Sequence, residues 1–289
     1  MGKNWKWATT GFGLTSKTHD QIIELCGVAG LDGIEGTVPL FKGLNDSQLG
    51  AVAIKYQNAG IKIETFHLPF SLEDDITSFY ETIRRRAVET CRTWMERSTI
   101  LGATIGIQHP GTNRLNVDLE GIDNYMRQLE KSLKELLPAA EQLNLTLALE
   151  NLPPGENGPR LGSRPEHFER FSKAFRHPNL GFVLDTGHAL MSGDSDAVDE
   201  FHKVMAPYMV AYHLADNAGD RDSHLAPGHG LVDWGMVFKR AAEIGYSGCM
   251  CIETAPFAPG PNGTYSDDAW KQMVEDTEVL VVEALGSES

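Results

Sequence analysis

Thr146-Leu147-Ala148-Leu149-Glu150 is a short apolar run that ends on a carboxylate. It has the length of a buried strand. Alternate side chains of a strand share a face, so Ala148 and Glu150 point one way while Leu147 and Leu149 point the other. The same plan recurs outward in both directions. Glu64-Thr65-Phe66-His67 and Ile107-Gln108-His109 precede it; Val183-Leu184-Asp185, Ala211-Tyr212-His213 and Cys251-Ile252-Glu253 follow. Each run ends on a metal-ligand side chain at the point where a strand hands over to a loop. When parallel strands close into a barrel, their C-terminal ends converge on one mouth, so ligands far apart in sequence surround one point. By parity Ala148, Glu150, Val183 and Asp185 face the barrel interior, while Leu147, Leu149, Phe182 and Leu184 face the helices.

Around these runs, strand-like and helix-like segments alternate along the whole chain. Strands are expected at 6–10, 33–36, 62–67, 104–109, 146–150, 181–185, 209–214 and 249–253. Helices are expected at 19–29, 47–59, 76–101, 117–143, 165–175, 195–206, 234–244 and 267–285. Leu129, Leu133, Leu136 and Leu137 trace one helical face. Asp46-Ser47 and Ser163-Arg164-Pro165-Glu166 read as helix starts, and Gly30, Gly60 and Gly245 as C-terminal caps. Strict alternation implies a parallel sheet with right-handed crossovers, and eight units imply closure. The expected fold is therefore α/β, a single (β/α)₈ TIM barrel over residues 1–289 with its active site at the C-terminal mouth of the strands. The structural rival is an open doubly wound sheet, but Gly11-Phe12-Gly13 lacks the third glycine of a phosphate loop. Long Gly- and Pro-rich loops follow the strands, at 151–160 and 216–233, and short ones precede them, which places function at the mouth.

With 289 residues the chain can bury a large core without disulfides. Its four cysteines, Cys26, Cys91, Cys249 and Cys251, form no CxxC pair, in keeping with a reducing compartment. Cys249 and Cys251 share a face with Glu253 and read as small buried side chains. The first residues lack the apolar core of a signal peptide, and no apolar run reaches a membrane span, so a cytoplasmic protein without a membrane partner is expected. A formal net charge of −15 disfavours polyanionic partners and favours a small neutral one.

Glu150, Asp185, His213 and Glu253 form the core of the expected site. Three acids and one histidine suit a divalent ion, with imidazole favouring Zn or Mn over Ca, and leave positions open for substrate oxygens. Any one of them alone would read as a cap on the following loop; four at matching positions read as ligands. His67, His109, His188, Asp222 and His224 form a second tier, as further metal ligands or as groups that hydrogen-bond substrate or the inner carboxylates. Asp222-Ser223-His224 presents two such groups on one extended segment. His19, His167, His177, His202 and His229 read as surface residues.

Taken in order, His67-Leu68-Pro69-Phe70, His109-Pro110-Gly111, Glu150-Asn151, Asp185-Thr186-Gly187-His188, His213-Leu214-Ala215-Asp216, His224-Leu225-Ala226-Pro227-Gly228-His229-Gly230 with Asp233-Trp234, and Ile252-Glu253-Thr254 resemble the xylose isomerase-like barrels. That group includes sugar isomerases and epimerases and also endonuclease IV. In its epimerase-like branch, the resemblance implies one Mn, Mg or Co ion held by Glu150, Asp185, His213 and Glu253, with Glu150 and Glu253 also exchanging the substrate proton. In its endonuclease IV branch it implies three zinc ions held by those four together with His67, His109, His188, Asp222 and His224. Charge favours the first branch. The mouth loops carry Glu73-Asp74-Asp75, Asp194, Asp196, Asp216, Asp220, Asp222 and Asp267-Asp268 against Arg114, Arg160, Arg164 and Arg221, whereas a nuclease needs Lys and Arg on the phosphates.

The expected activity is thus that of a divalent-metal-dependent (Mn, Mg, Co or Zn) sugar or polyol isomerase or epimerase. One ion is firmly bound, with room for more, and a proton next to a carbonyl is removed to give an enediolate. His188 and Arg221 are expected to hold substrate oxygens, and Trp7, Phe66 and Trp234 to form an apolar wall. The alternatives are an endonuclease IV-like multi-zinc phosphodiesterase, a keto-sugar or inosose lyase or dehydratase on the same site, and a sugar-binding accessory subunit. The partner is a small sugar or polyol and not nucleic acid; a homo-oligomer stays open.

Overall fold

In the computed structural model, residues 5–111, 116–193, 196–256 and 265–286 are described. Arg114 and Asp194, named above, and position 195, the first of an expected helix, lie outside them. Eight strands, β1 Lys6–Thr10, β2 Gly33–Thr37, β3 Thr65–His67, β4 Ile105–Gln108, β5 Thr146–Glu150, β6 Leu180–Asp185, β7 Met209–Leu214 and β8 Cys249–Ile252, pair in sequence order. Every pairing is parallel, and β8 closes on β1. Closure overturns the open-sheet rival. The sequence order of the strands follows from the short connections, which leave each helix only enough chain to return its strand beside the last.

Alternation along the strands separates two cores. Ile107, Ala148, Val183 and Ala211 pack together inside the barrel. Ala8, Cys249 and Cys251 form a second small inner group. Leu147, Leu149, Phe182 and Leu184 belong to the larger core between barrel and helices. Small or branched residues inside and large ones outside are what a narrow eight-stranded barrel admits.

The outer helices are α1 His19–Ala29, α2 Val38–Phe41, α3 Asp46–Asn58, α4 Glu81–Ile100, α5 Val117–Glu120, α6 Ile122–Gln142, α7 Pro165–Ala174, α8 Thr186–Leu190, α9 Ala197–Met205, α10 Trp234–Glu243 and α11 Asp267–Leu285. Gly30, Gly60 and Gly245 adopt the left-handed conformation expected of helix caps. Two expected helices are shorter than their patterns suggested. The stretch 76–80 before α4 is not helical: Asp75 Oδ1 accepts from Thr77 N and Oγ1, which turns the chain first. The segment 117–143 is split at Gly121 (φ +81), which ends α5 and begins α6 at a new angle. Among the described residues, no helix is long and apolar enough to cross a membrane.

Candidate metal centre

His213, at the end of β7, is the hub. Its Nδ1 lies 2.7 Å from Glu150 Oε1 and 2.9 Å from Glu253 Oε2, and its Nε2 lies 2.9 Å from Glu35 Oε2. Glu150 ends β5, and Glu253 follows β8. Asp185 ends β6 and caps α8, its Oδ1 accepting from His188 N at 2.6 Å. One ligand atom from each of Glu150, Asp185, His213 and Glu253 lies within 4.8 Å of the others. The expected four residues are brought together.

Two further groups adjoin them at the cavity: His67, His109 and Glu150 form one; His188, Asp222 and His224 form the other. Glu35, His213 and Cys251 also come together, all three buried. His67 Nε2 and His109 Nε2 approach Glu150 Oε2 at 3.3 and 3.2 Å. Asp222 lies 3.4 Å from His188 Nε2 and 3.2 Å from His224 Nε2. The segment carrying Asp222 and His224 is not simply extended, because His224 turns through a left-handed φ of +41.

Three observations show that a divalent ion fits this donor set. First, Asp185 Oδ2 is buried without a hydrogen-bond partner among the described residues, and the buried Glu150 Oε2 and Glu253 Oε2 meet only histidine nitrogens there; buried carboxylates gathered in that condition call for a cation. Second, His67, His188 and His224 each direct Nδ1 at a main-chain carbonyl, of Leu68, Asn151 and Glu253 respectively, at 2.9–3.1 Å. A carbonyl only accepts, so each ring donates from Nδ1 and keeps Nε2 available, the orientation that ligating histidines take. Third, burial pushes Asp185 up to about 8, against the opposing pull of His188, which marks a carboxylate short of positive charge. For His213, burial favours the neutral ring, but Glu253, Glu35 and Glu150 outweigh it and hold its pKa well above the ordinary value. Burial likewise opposes ionisation of Glu253, yet His213 brings it to about 2.

Above the centre is a cavity of about 620 Å³, of the size that takes a small polar molecule. Glu253, His67, His109, His188, Asp222 and His224 line it, while Glu150, Asp185 and His213 lie fully buried behind them. Its apolar wall is Phe12, Phe70 and Leu72. The Phe70 ring packs on His109 with centroids 4.2 Å apart and is itself 42% exposed.

The wall expected from sequence is not this one. Trp7 is buried on the helix side of β1, its Nε1 donating to Glu278 Oε1 at 3.1 Å. Phe66 stacks on Trp94 outside the barrel. Trp234 packs on Phe238 and donates Nε1 to Asp216 Oδ2 at 2.9 Å. Arg221 is exposed and does not line the cavity; Arg160, from the loop after β5, does. Asp216 is not on the surface of the mouth: it is fully buried and also accepts from the N–H groups of Asn217, Gly228 and Val232. His167 and His202 are buried, not surface residues; His202 Nε2 meets Tyr212 Oη at 2.6 Å. Glu35 escaped notice because Gly33-Ile34-Glu35-Gly36 is too rich in glycine to stand out as an apolar run.

With this geometry in hand, residues 23–276 match the sequence model of the xylose isomerase-like TIM barrel. The chain belongs to that family. It is 30% identical over 190 residues to the uncharacterized protein MJ1311 of Methanocaldococcus jannaschii, covering 65% of this chain and 62% of that one. D-psicose 3-epimerase of Ruminiclostridium cellulolyticum is 24% identical over 221 residues, 75% of this chain and 70% of its own. A probable endonuclease 4 of Aquifex aeolicus is 31% identical over 127 residues, 44% and 42% of the two chains. The matches with the first three curated relatives span 59–66% of those proteins' own lengths. Among solved structures, a D-tagatose 3-epimerase-like protein superposes with a TM-score of 0.79 at 23% identity, over 97% of this chain and all of that one. The IolI protein with a bound zinc atom superposes equally well, TM-score 0.79, at 20% identity over 98% and 100%. At these identities the superpositions establish the fold.

Proposed function

We propose that this protein, read as one functional unit over residues 1–289, is a divalent-metal-dependent sugar or polyol isomerase or epimerase. The carrying observation is the convergence of three buried carboxylates, Glu150, Asp185 and Glu253, on His213 behind a cavity of sugar size, with no lysine or arginine among the described residues paired to them. Those four residues would hold the ion, for which Mn, Mg, Co or Zn are all suitable. When bound, such an ion polarises neighbouring substrate oxygens and stabilises the negative charge that develops as a carbon beside a carbonyl loses its proton. Likeness to D-psicose 3-epimerase supports a keto-sugar, and the zinc of the IolI structure supports a metal in this fold.

The chain's own residues supply the proton transfer. Glu253 reaches the cavity wall, where its carboxylate can take the proton from carbon. Glu150, the other carboxylate paired with His213 Nδ1, serves the opposite face and returns it. Delivery of the proton to the opposite face of the same carbon gives epimerisation; delivery to the former carbonyl carbon, with the neighbouring hydroxyl proton passing to the former carbonyl oxygen, gives isomerisation. A lyase would share the first step and differ in what leaves. Phe12, Phe70 and Leu72 exclude water from one side of the substrate, and His188 binds its oxygens.

Solvent deuterium exchange tests this reading. Incubated with keto-sugars, the wild-type protein should incorporate deuterium beside the carbonyl. Glu253→Gln and Glu150→Gln should each lower the rate by about a hundred-fold or more, the range for loss of a positioned base. Metal content is measured in parallel, because both residues also belong to the ion site. Exchange at the wild-type rate in both variants would sink the two-carboxylate assignment.

The second reading, an endonuclease 4-like phosphodiesterase, draws on a specific observation. His67, His109 and Glu150, and His188, Asp222 and His224, are two more ligand groups beside the first.

A further inference from the structure

We propose that the substrate is an anionic sugar, its phosphate or carboxylate held by the guanidinium of Arg160. This rests on the sugar reading above and names the substrate class within it.

Arg160 lies in the loop between β5 and α7, lines the cavity, and is only 7% exposed. Its place is fixed from several sides. Nε donates to Pro153 O at 2.6 Å, and its own carbonyl accepts from Ser163 N at 3.1 Å and Ser163 Oγ at 2.9 Å. One residue earlier, Pro159 O accepts from Val117 N at 2.8 Å, and Gly155 and Gly158 bridge across the loop. The loop's main chain is thus tied down around Arg160, and the guanidinium is anchored at Nε.

Nε is the only nitrogen of this guanidinium that donates a hydrogen bond among the described residues, and no described carboxylate lies within ion-pair distance of it. The negative charges of Asp222 and Glu150 act on it only across space, and burial brings its pKa down to about 10, which leaves it charged at neutral pH. A buried cation without a counter-ion is strongly unfavourable unless a ligand completes it. Hydroxyl groups of a neutral sugar can be bound by neutral donors and acceptors and do not require this arrangement. The planar fork of arginine matches two oxygens of a phosphate or a carboxylate at once. Arg160 is also the only lysine or arginine among the described lining residues, in a cavity whose other charged groups are Asp222, Glu253 and histidines. An anion that enters has one place to put its charge on a side chain that cannot lose its proton.

Isothermal titration calorimetry on the metal-loaded protein, with three ligands of similar size, tests the proposal. The ligands are D-fructose 6-phosphate, a ketohexuronate and D-fructose, and the neutral sugar is the reference. At least one anion should bind ten- to a hundred-fold more tightly than D-fructose, the range expected of charge-assisted hydrogen bonds. Which anion shows the preference distinguishes phosphate from carboxylate. Arg160→Met should bring the affinity for the anions down to that for D-fructose measured on the same variant; Arg160→Lys, which keeps charge without the fork, should retain part of the preference. Equal binding of all three ligands to the wild-type protein would overturn the proposal without any variant, as would a preference that survives in a folded Arg160→Met protein. Deuterium exchange separates the two readings. Exchange on neutral keto-sugars with no anion preference leaves the isomerase reading standing and this one refuted. Arg160-dependent anion binding without exchange on any keto-sugar does the reverse.

Discussion

Glu35 orients His213, a candidate metal ligand. It is fully buried in β2, accepts from Thr65 Oγ1 at 3.0 Å, and faces His213 Nε2. A proton fixed on Nε2 leaves the Nδ1 lone pair toward Glu150 and Glu253, where the ion would sit. Carboxylates behind ligating histidines are worth about ten- to a hundred-fold in metal affinity. Glu35→Gln keeps shape and one acceptor but loses the charge, so metal affinity measured by chelator competition should fall within that range while the thermal midpoint of the metal-loaded protein changes little. Unaltered affinity would reduce Glu35 to a packing role. At this scale the sequence was legible wherever parity was followed. Ala148 and Glu150 face inward as two-residue alternation requires. The same rule, applied to β1 and β3, would have turned Trp7 and Phe66 outward, since Ala8 lies inside and His67 lines the cavity. Arg160 and Arg221 carried no such signal. Both sit in loops, where no period says which one faces the site.

At the scale of elements, two loops depend on buried polar groups whose roles are invisible in sequence. Asp216 gathers the loop 216–234 by accepting from three main-chain N–H groups and the Trp234 indole, and that loop carries Asp222 and His224. An aspartate in a Gly- and Pro-rich stretch reads as surface charge until its partners are known. His167, on α7, anchors the other loop: its Nδ1 accepts from Gly162 N at 3.0 Å, which only an unprotonated nitrogen can do. Burial, helped by Arg164, holds His167 down at about 4, and burial, helped by Arg240, does the same for His202. In both cases the folded pKa lies below the unfolded value of about 6.5, so the unfolded chain takes up protons first. The stability from these two rings is complete above about pH 6.5 and is lost as pH falls toward 4. Each contributes a slope of up to ~1.4 kcal/mol per pH unit in that window. Urea unfolding of wild type and of the His167→Gln/His202→Gln double variant, compared at pH 7 and pH 5, should show the smaller loss of stability in the variant. Equal losses would mean that neither ring is the acid-sensitive element.

For the whole molecule, the question is whether the barrel mouth admits a sugar or a DNA backbone. The ligand groups do not decide it, because all three lie together. Charge bears on it, in a form different from a count of acidic residues along the mouth loops. Asp216 is buried and Asp75 nearly so, hence neither presents an exposed charge to a polyanion. What remains is a formal charge of −15, an exposed Phe70 and half-exposed Phe12 at the rim, and one arginine among the described residues lining the cavity. Tight binding of duplex DNA rests on several phosphates being neutralised by Lys and Arg, whereas Arg160 can meet one. A single anionic group on a small substrate fits that inventory; a backbone of many does not. Low salt favours the nuclease reading most, since counterion release then strengthens even a few phosphate contacts. The assay is therefore incision of an abasic-site duplex at low ionic strength with zinc supplied, alongside metal analysis of the purified protein. We expect no incision and one tightly held ion per chain, with any further ion removed by mild chelation, because the Glu150, Asp185, His213 and Glu253 group is fully or nearly buried while Asp222 and His224 face solvent. Robust incision at the abasic site would reverse the assignment, and Arg160 would then belong to a phosphodiester site.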